Sequence, residues 1–382
     1  MTTPLSRGPS SLGGPYPEPP VEKRTDPWAI ALGLLGGVLL GTGLTFAILG
    51  FVGVFEEPTP PTIPPAPTLT APSPTAPAPT FGDEVSVASV AARVIPSTVA
   101  IEISSFLAGG SGSGVVYGDS GYIITNHHVI DVAGEVAVVF ADGARFLAEI
   151  IGSDPVTDIG VLRVERQDMA PVILGSAESL SIGEPAVAVG NPLGLAGGPT
   201  VTTGVVSALD RTLEVTAGET LYGLVQTDAP IAPGSSGGAL VDAAGRLIGI
   251  TTAIAVSNIG PEGIGFAVPV DIAVGVANDL IETREVRHAL MGIVGATAWA
   301  DAAGAEFPVG VLIEEISAGS AYEEAGGQFN DVVVAIDGAE VRTIDGLIAR
   351  LRRLRAGDTI PVRILRGDSE TTLEVTMGLL NP

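Results

Sequence analysis

The chain has 382 residues, among them 43 acidic and 18 basic side chains that give a formal net charge of −25, and it contains no cysteine. This charge argues against nucleic acid and against an anionic membrane surface as general partners, and the missing cysteines exclude disulfides and thiolate chemistry. The length leaves room for two or three domains. The histidines, His127, His128 and His288, have no zinc-binding spacing. We therefore expect no metal and no cofactor.

Three segments of distinct composition open the chain. Residues 1–26 are rich in proline, glycine and serine, which predicts a disordered segment. Residues 27–55 carry no charge and exceed the roughly 20 apolar residues that span a bilayer, so we predict an uncleaved transmembrane helix. A cleaved signal peptide is the alternative. Residues 56–83 are dominated by proline, which predicts an extended linker.

Charges beside the apolar run predict its orientation. Lys23 and Arg24 precede the run, and Glu56 and Glu57 follow it. Because positive residues stay on the cytoplasmic side, we expect a cytoplasmic N-terminus and an extracytoplasmic remainder, in a single-pass protein of the cell membrane.

Residues 84–284 show many short β segments separated by turn signals. This pattern predicts an all-β barrel or sandwich, and the length is enough for two barrels. The predicted strands are Val99–Ser104, Tyr122–Thr125, Glu135–Phe140, Arg145–Ile151, Asp158–Val164, Pro185–Val189, Val201–Leu209, Leu224–Thr227, Ala239–Val241 and Arg246–Thr252. Asp271–Arg284 reads as an amphipathic helix that closes this domain.

Residues 285–382 form a smaller domain of mixed secondary structure. The predicted helix is Thr343–Arg355, whose four arginines from Arg350 onward are typical of a solvated helix face. A preference for acidic peptides is the alternative interpretation of this basic run. The predicted strands are Gly310–Ile316, Asp331–Ile336, Pro361–Leu365 and Thr371–Met377.

Three motifs together indicate a serine hydrolase. His128 follows a predicted strand, Asp158 opens another, and Ser236 lies in the glycine-rich segment Gly234–Gly238. A serine hydroxyl needs a base, and a histidine base needs an acid to fix its tautomer. An α/β-hydrolase also places serine in G-x-S-x-G, but that fold needs its acid and histidine after the serine. Only His288 follows here, so we reject that alternative.

The motifs TNHHVI, DPVTDIGVL and PGSSGGAL resemble the active-site blocks of the HtrA/Deg (DegP-like) family of trypsin-like serine proteases. Gly112-Ser113-Gly114 also fits the family pattern. The resemblance implies a mainly β fold, with a chymotrypsin-like double β-barrel followed by an α+β PDZ domain. It implies His128 as general base, with His127 a bystander, Asp158 as orienting acid and Ser236 as nucleophile. The oxyanion hole would be the backbone of Gly234, Ser235 and Ser236.

The same resemblance implies partners and a biological role. Ile231 and Ile254 would line a pocket for small aliphatic side chains, and Met291, Gly292 and Ile293 would hold peptide C-termini in the PDZ domain. Family members commonly form homotrimers. The implied function is ATP-independent degradation of unfolded or damaged polypeptides outside the cytoplasm by a membrane-anchored serine endopeptidase. The alternative is a protease-like PDZ scaffold or holdase chaperone whose site is silent or latent.

Overall fold

A computed structural model describes residues 86–104, 109–131, 134–191, 198–216, 219–257, 260–302 and 305–380. The disordered segment, transmembrane helix and linker predicted at 1–26, 27–55 and 56–83 lie outside the described residues. Within the described ranges, no helix is both long and apolar enough to cross a membrane.

The first six strands close into a barrel in the order β1-β2-β3-β6-β5-β4. Alternate residues of the first strand, Val99, Ile101 and Ile103, are buried in its core, as the period of two in a strand requires. The strands are β1 (Thr98–Ser104), β2 (Gly109–Tyr117), β3 (Tyr122–Thr125), β4 (Glu135–Val139), β5 (Arg145–Asp154) and β6 (Ile159–Val164).

The next seven strands form a second sheet in the order β11-β8-β9-β10-β13-β12-β7. Because β11 also pairs with β12, six of these strands form a closed ring. The strands are β7 (Ile173–Leu174), β8 (Pro185–Gly190), β9 (Thr200–Thr216), β10 (Glu219–Thr227), β11 (Ala239–Asp242), β12 (Arg246–Ser257) and β13 (Gly260–Pro269). The mainly β, two-barrel prediction is confirmed.

Three helices flank the barrels: α1 (Val87–Val94), which the sequence analysis missed, α2 (His127–Ile130) and α3 (Val270–Thr283). One 3₁₀ turn, Ile95–Ser97, follows α1. The Ser86 hydroxyl caps α1 by accepting a hydrogen bond from the Ser89 N–H at 3.2 Å. Helix α3 ends where Arg284 turns left-handed at φ 63°, and its Val276 and Leu280 join the barrel core.

The C-terminal domain has its own core around Tyr322, Val333 and Val362. Its strands are β14 (Ala289–Leu290), β15 (Ile293–Ala302), β16 (Ala305–Ile316), β17 (Val332–Ile336), β18 (Ala339–Glu340), β19 (Thr359–Arg366), β20 (Ser369–Thr376) and β21 (Gly378–Leu379), and its helices are α4 (Ala321–Glu324) and α5 (Ile344–Leu351). Strand β15 is an edge strand of the sheet β15-β16-β17-β19-β20.

Helix α5 is shorter than the helix predicted at Thr343–Arg355. Thr343 is its N-cap and accepts a hydrogen bond from the Gly346 N–H at 3.1 Å, and the helix ends at Leu351. Arg355 already lies in an extended bridge with His288. The last arginines therefore leave the helix and follow a different path.

Charged pairs join the C-terminal domain to the barrels. Asp210 of β9 accepts from Arg353 at 3.0 Å and from Arg350 at 3.4 Å. Asp279 of α3 pairs with Arg355 at 2.9 Å. The prediction of a solvated arginine face is therefore wrong, because acids of the barrel domain pair with Arg350, Arg353 and Arg355 at an interface.

Candidate active site

His128 and Asp158 form a close pair at the start of α2. The carboxylate accepts from the ring Nδ1 of His128 at 2.9 Å (Oδ2) and 3.0 Å (Oδ1). It also accepts from the backbone N–H of His128 at 3.0 Å. A carboxylate can only accept, so Nδ1 carries a hydrogen and Nε2 is the nitrogen available to a reacting group. The neighbouring His127 contacts Ser153 and Asp131 instead.

Asp158 is held in a conformation that few residues other than glycine adopt. Its φ is 58°, in the left-handed region. Asn126 donates to its carbonyl at 2.9 Å, and the Thr252 hydroxyl donates to its Oδ2. These contacts fix the carboxylate toward His128, whose side chain is 48% exposed while that of Asp158 is 9% exposed.

Thr252 also contacts the serine. The Ser236 hydroxyl donates to the Thr252 carbonyl at 3.0 Å, so one residue of β12 touches both Ser236 and Asp158. No hydrogen bond within the described residues joins Ser236 Oγ to His128. A hydrogen bond between Ser236 Oγ and His128 would require the hydroxyl to turn from the carbonyl, and hydrogen bonds between serine and histidine in active sites often form only with substrate bound. The sequence analysis missed Thr252.

Ser113 of β2 makes four hydrogen bonds, two to the serine loop and two to Asn191 and Thr125. Its N–H donates to the Ser236 carbonyl at 2.8 Å, and its hydroxyl donates to the Gly234 carbonyl at 2.7 Å. The hydroxyl accepts from the Asn191 N–H at 2.8 Å, and the carbonyl accepts from the Thr125 hydroxyl at 2.7 Å. The motif Gly112-Ser113-Gly114 marked this position, but its contacts could not be read from sequence.

The backbone before Ser236 forms a turn that exposes two N–H groups. Ser235 N–H donates to the Ala232 carbonyl at 2.9 Å, with Pro233 and Gly234 between them. The φ of Gly234 is 91°, and a positive φ after proline defines a type II turn, which glycine adopts readily. None of the hydrogen bonds in the described part of the chain uses the N–H of Gly234 or Ser236. Both groups are available to stabilise a developing oxyanion.

A small apolar cavity lies beside Ile231, one of the two residues predicted to line a specificity pocket. Ile231 lines a cavity of about 110 Å³ together with Ala232, Ser235 and Thr251. The side chain of Ile231 packs against Gly265 of β13, where a Cβ atom would clash with it. Ile254 pairs with Gly265 in the β12–β13 ladder, and its side chain lies outside the described part. A cavity of this size fits a small aliphatic side chain.

Met291, Gly292 and Ile293 lie where β15 begins. Gly292 has a φ of 75°, and its carbonyl accepts from the Ser317 N–H at 2.9 Å. Met291 is buried. Helix α5 lies beside β15, since the Ile344 N–H donates to the Thr297 hydroxyl at 3.1 Å. The free edge of β15 beside α5 can therefore accept an added peptide strand.

A second histidine–carboxylate pair lies at the domain interface. His288 Nε2 is 3.0 Å from Asp154 Oδ1, and both side chains are buried. Burial favours a raised pKa for Asp154, but hydrogen bonding and charge from His288 and hydrogen bonding from Thr157 outweigh it, so the pKa lies below its ordinary value. Asp154 thus pairs with His288, whereas Asp158 pairs with His128. It anchors the loop leading to Asp158.

Fold and site together define a trypsin-like serine protease with an appended PDZ domain. The trypsin-like peptidase domain family matches residues 112–250, and the PDZ domain family matches residues 276–377. The chain is 36% identical to serine protease PepD of Mycobacterium tuberculosis over 94% of this chain and 79% of that protein. It belongs to the HtrA/Deg family of serine endopeptidases.

Other relatives agree with this assignment. The periplasmic pH-dependent serine endoprotease DegQ of Escherichia coli is 38% identical over 70% of this chain, which spans only 59% of DegQ. The HtrA-type protease AlgW with a tripeptide is 33% identical, with a TM-score of 0.63, over 78% of this chain and 98% of that chain. A serine endoprotease structure from Yersinia pestis is 31% identical with a TM-score of 0.55 over the same shares.

Proposed function

We propose that Ser236, His128 and Asp158 are the catalytic triad of a serine endopeptidase. The observation that carries this assignment is the network in which Thr252 contacts both Ser236 and the Asp158 carboxylate, which holds His128. Ser236 attacks the peptide carbonyl, His128 Nε2 takes the hydroxyl proton and later protonates the leaving amine, and Asp158 stabilises the imidazolium. The N–H groups of Gly234 and Ser236 bind the oxyanion.

Ser236→Ala tests the nucleophile directly. With casein as an unfolded substrate, we expect cleavage to fall by several orders of magnitude, because the covalent step is lost. Ser179→Ala, which alters an exposed serine far from the network, is the matched control and should retain full activity. Equal cleavage by Ser236→Ala and the control would disprove the assignment.

The hydrogen bond from Ser236 to the Thr252 carbonyl favours a second candidate, a PDZ scaffold or holdase chaperone with a latent site. A fluorophosphonate probe separates the two functions, since it labels only an activated serine. Ser236-dependent labelling supports the protease. Absence of labelling at every temperature, with and without added peptides, would favour the holdase.

The substrates that we propose are unfolded or damaged polypeptides outside the cytoplasm, in a role of protein quality control. The small apolar cavity at Ile231 supports cleavage after Val or Ala. The free edge of β15 supports capture of peptide C-termini by the PDZ domain, with Gly292 at the carboxylate loop. N-terminal sequencing of products from a denatured substrate, with and without residues 285–382, tests both assignments.

Anchoring and assembly are further parts of the proposal. The uncharged run at 27–55 supports a single-pass membrane anchor with the protease and PDZ domains outside the cytoplasm. Deleting residues 1–83 should release the protein from the membrane fraction, and retention there would contradict the anchor. Family resemblance supports a homotrimer, which light scattering of the purified protein checks.

A further inference from the structure

A cavity of about 430 Å³ opens beside His128, and both domains contribute to its wall. The barrel domain supplies His128, Thr252, Leu221 and Val156, and the C-terminal domain supplies Arg352. A substrate segment that enters this cavity beside His128 therefore meets an arginine that belongs to the other domain. The triad itself needs no cation at this position.

Arg352 differs from the other arginines of its run. Arg350, Arg353 and Arg355 all form ion pairs with Asp210 or Asp279. None of the ion pairs among the described residues involves Arg352, and its buried Nε has no hydrogen-bond partner there. Burial lowers the pKa of the guanidinium, although nearby Asp154 and Tyr222 oppose this shift. The group nevertheless stays charged, because an arginine starts far above neutral pH.

The backbone holds Arg352 in place without help from its side chain. Its N–H donates to the Ile348 carbonyl at 3.1 Å, and its carbonyl accepts from Arg355 Nη1 at 3.3 Å. Helix α5 packs closely on the barrel, where Ala349 faces Gly223. A Cβ atom at position 223 would lie 3.2 Å from the Cβ atom of Ala349, so any residue larger than glycine would be crowded there. The guanidinium is thus presented to the cavity on a fixed support.

We propose that Arg352 is a specificity-determining residue that binds a carboxylate side chain of the substrate beside the cleaved bond. A guanidinium matches a carboxylate in charge and in planar, two-pronged geometry. This inference rests on the proposed protease function, because the cavity holds substrate only if His128, which lines it, belongs to the active site.

Other charges at the cavity do not remove this preference. The carboxylate of Asp158 already forms hydrogen bonds with His128 and Thr252, and the carboxylate of Asp154 with His288 and Thr157. Glu219 also lines the cavity, but it is exposed, and water and salt screen an exposed charge more strongly than a half-buried one. The overall charge of −25 would repel an acidic substrate only weakly at physiological salt, because salt screens distant charges. The contact with Arg352 therefore determines the preference for an acidic side chain.

The test uses fluorogenic peptides with Val at the cleaved position and Glu, Gln or Lys at each flanking position in turn. Every peptide has an amidated C-terminus, so that it cannot dock in the PDZ domain through a terminal carboxylate. For the wild-type protein we expect kcat/KM to be about tenfold higher for Glu than for Gln at one flanking position. A difference of about tenfold is what one hydrogen bond between charged groups contributes to binding. Arg352→Gln should abolish this preference.

Arg350→Gln is the matched control, since it removes a neighbouring arginine that faces Asp210, and it should keep the preference. Arg352→Glu should prefer Lys at the same position, a reversal that a purely structural role would not produce. Equal rates for Glu and Gln in the wild type, or an unchanged preference in Arg352→Gln, would overturn the inference.

Failure of the inference can be told apart from failure of the proposed function. Binding of the same labelled peptides to Ser236→Ala, measured by fluorescence anisotropy, reports the Glu preference without any cleavage. If no peptide is cleaved but Glu peptides bind about tenfold more tightly, the protease assignment fails and Arg352 stands. If cleavage depends on Ser236 without a charge preference, only the Arg352 inference fails.

Discussion

The serine loop and the domain interface are held by different kinds of hydrogen bond. Around the loop, neutral hydroxyls of Ser113 and Thr251 donate to backbone carbonyls at 2.7 and 2.6 Å. At the interface, ionisable groups meet: the Asp154 carboxylate lies beside His288, and Arg353 and Arg355 pair with Asp210 and Asp279. Neutral contacts depend little on salt and pH, whereas charged contacts respond to both.

This difference separates two properties that a protease needs. A loop held by neutral groups keeps its backbone N–H groups in place over a wide pH range, because within the described ranges no ionisable side chain forms a hydrogen bond with it. A charged interface can loosen or tighten with its surroundings, and it touches the loop that carries Asp158 through Asp154. We therefore expect substitutions in the loop to alter the chemical step, and substitutions in the interface to alter stability and docking.

The largest effect should come from the buried interface pair. Asp154→Asn removes the charge opposite His288 and should lower the free energy of unfolding by about 3 kcal/mol, because a buried pair loses one partner. Urea unfolding of the purified protein measures this. Asp119→Asn makes the same charge change on the surface and should shift stability by less than about 0.5 kcal/mol. Similar losses in both variants would contradict the difference between the two regions.

The same pair makes a prediction about pH. The pKa of Asp154 in the folded protein is lowered, so its stabilising contribution is complete above the unfolded pKa of about 4 and is lost as pH falls through the folded value. The wild type should therefore lose stability in acid more steeply than Asp154→Asn. Parallel acid-unfolding curves for the two proteins would show that Asp154 is not linked to folding in this way.

At the serine loop, by contrast, Ser113→Ala should slow the chemical step. The variant frees the Gly234 carbonyl and the Asn191 N–H, both buried or partly buried, at a cost of about 2 kcal/mol. We expect kcat to fall about 30-fold with little change in KM, because the turn that carries the oxyanion donors loosens. Ser111→Ala, an exposed serine of the same strand, is the control. A rise in KM at constant kcat would mean that Ser113 supports binding instead.

Thr252→Val is expected to have a smaller effect. It removes the hydroxyl that donates to Asp158 but keeps the backbone carbonyl that Ser236 contacts. Since His128 still binds Asp158 through two atoms, we expect kcat to fall about tenfold, which corresponds to about 1.4 kcal/mol. Thr203→Val, in an exposed position of β9, should leave kcat unchanged. Loss of all activity would place Thr252 among the essential residues.

The sequence predicted most of the strands and marked His128, Asp158 and Ser236, because alternation, turns and motif order are local signals. It missed strands β2, β13 and β15. It did not predict Thr252 or Ser113, whose roles depend on hydrogen bonds between strands far apart in the chain. Arg353 was predicted to face solvent, since a basic run in sequence does not reveal that Asp210 lies opposite. The assignment of Ser236, His128 and Asp158 as a triad still rests on the proposed experiment.

The smallest expected effect concerns the partly exposed ion pairs of Asp210, in contrast to the buried pair of Asp154 and His288. Asp210→Asn breaks pairs with Arg353 and Arg350 in which Asp210 is 37% exposed. Exposed ion pairs contribute about 0.2–1 kcal/mol, so we expect the free energy of unfolding to fall by an amount in that range at low salt. At 1 M salt we expect almost no change, because the Debye length is then only about 3 Å. Unfolding of both proteins at the two salt concentrations measures it. A loss that persists at high salt would show that Asp210 acts through packing or neutral hydrogen bonds, and the interface would then resemble the serine loop.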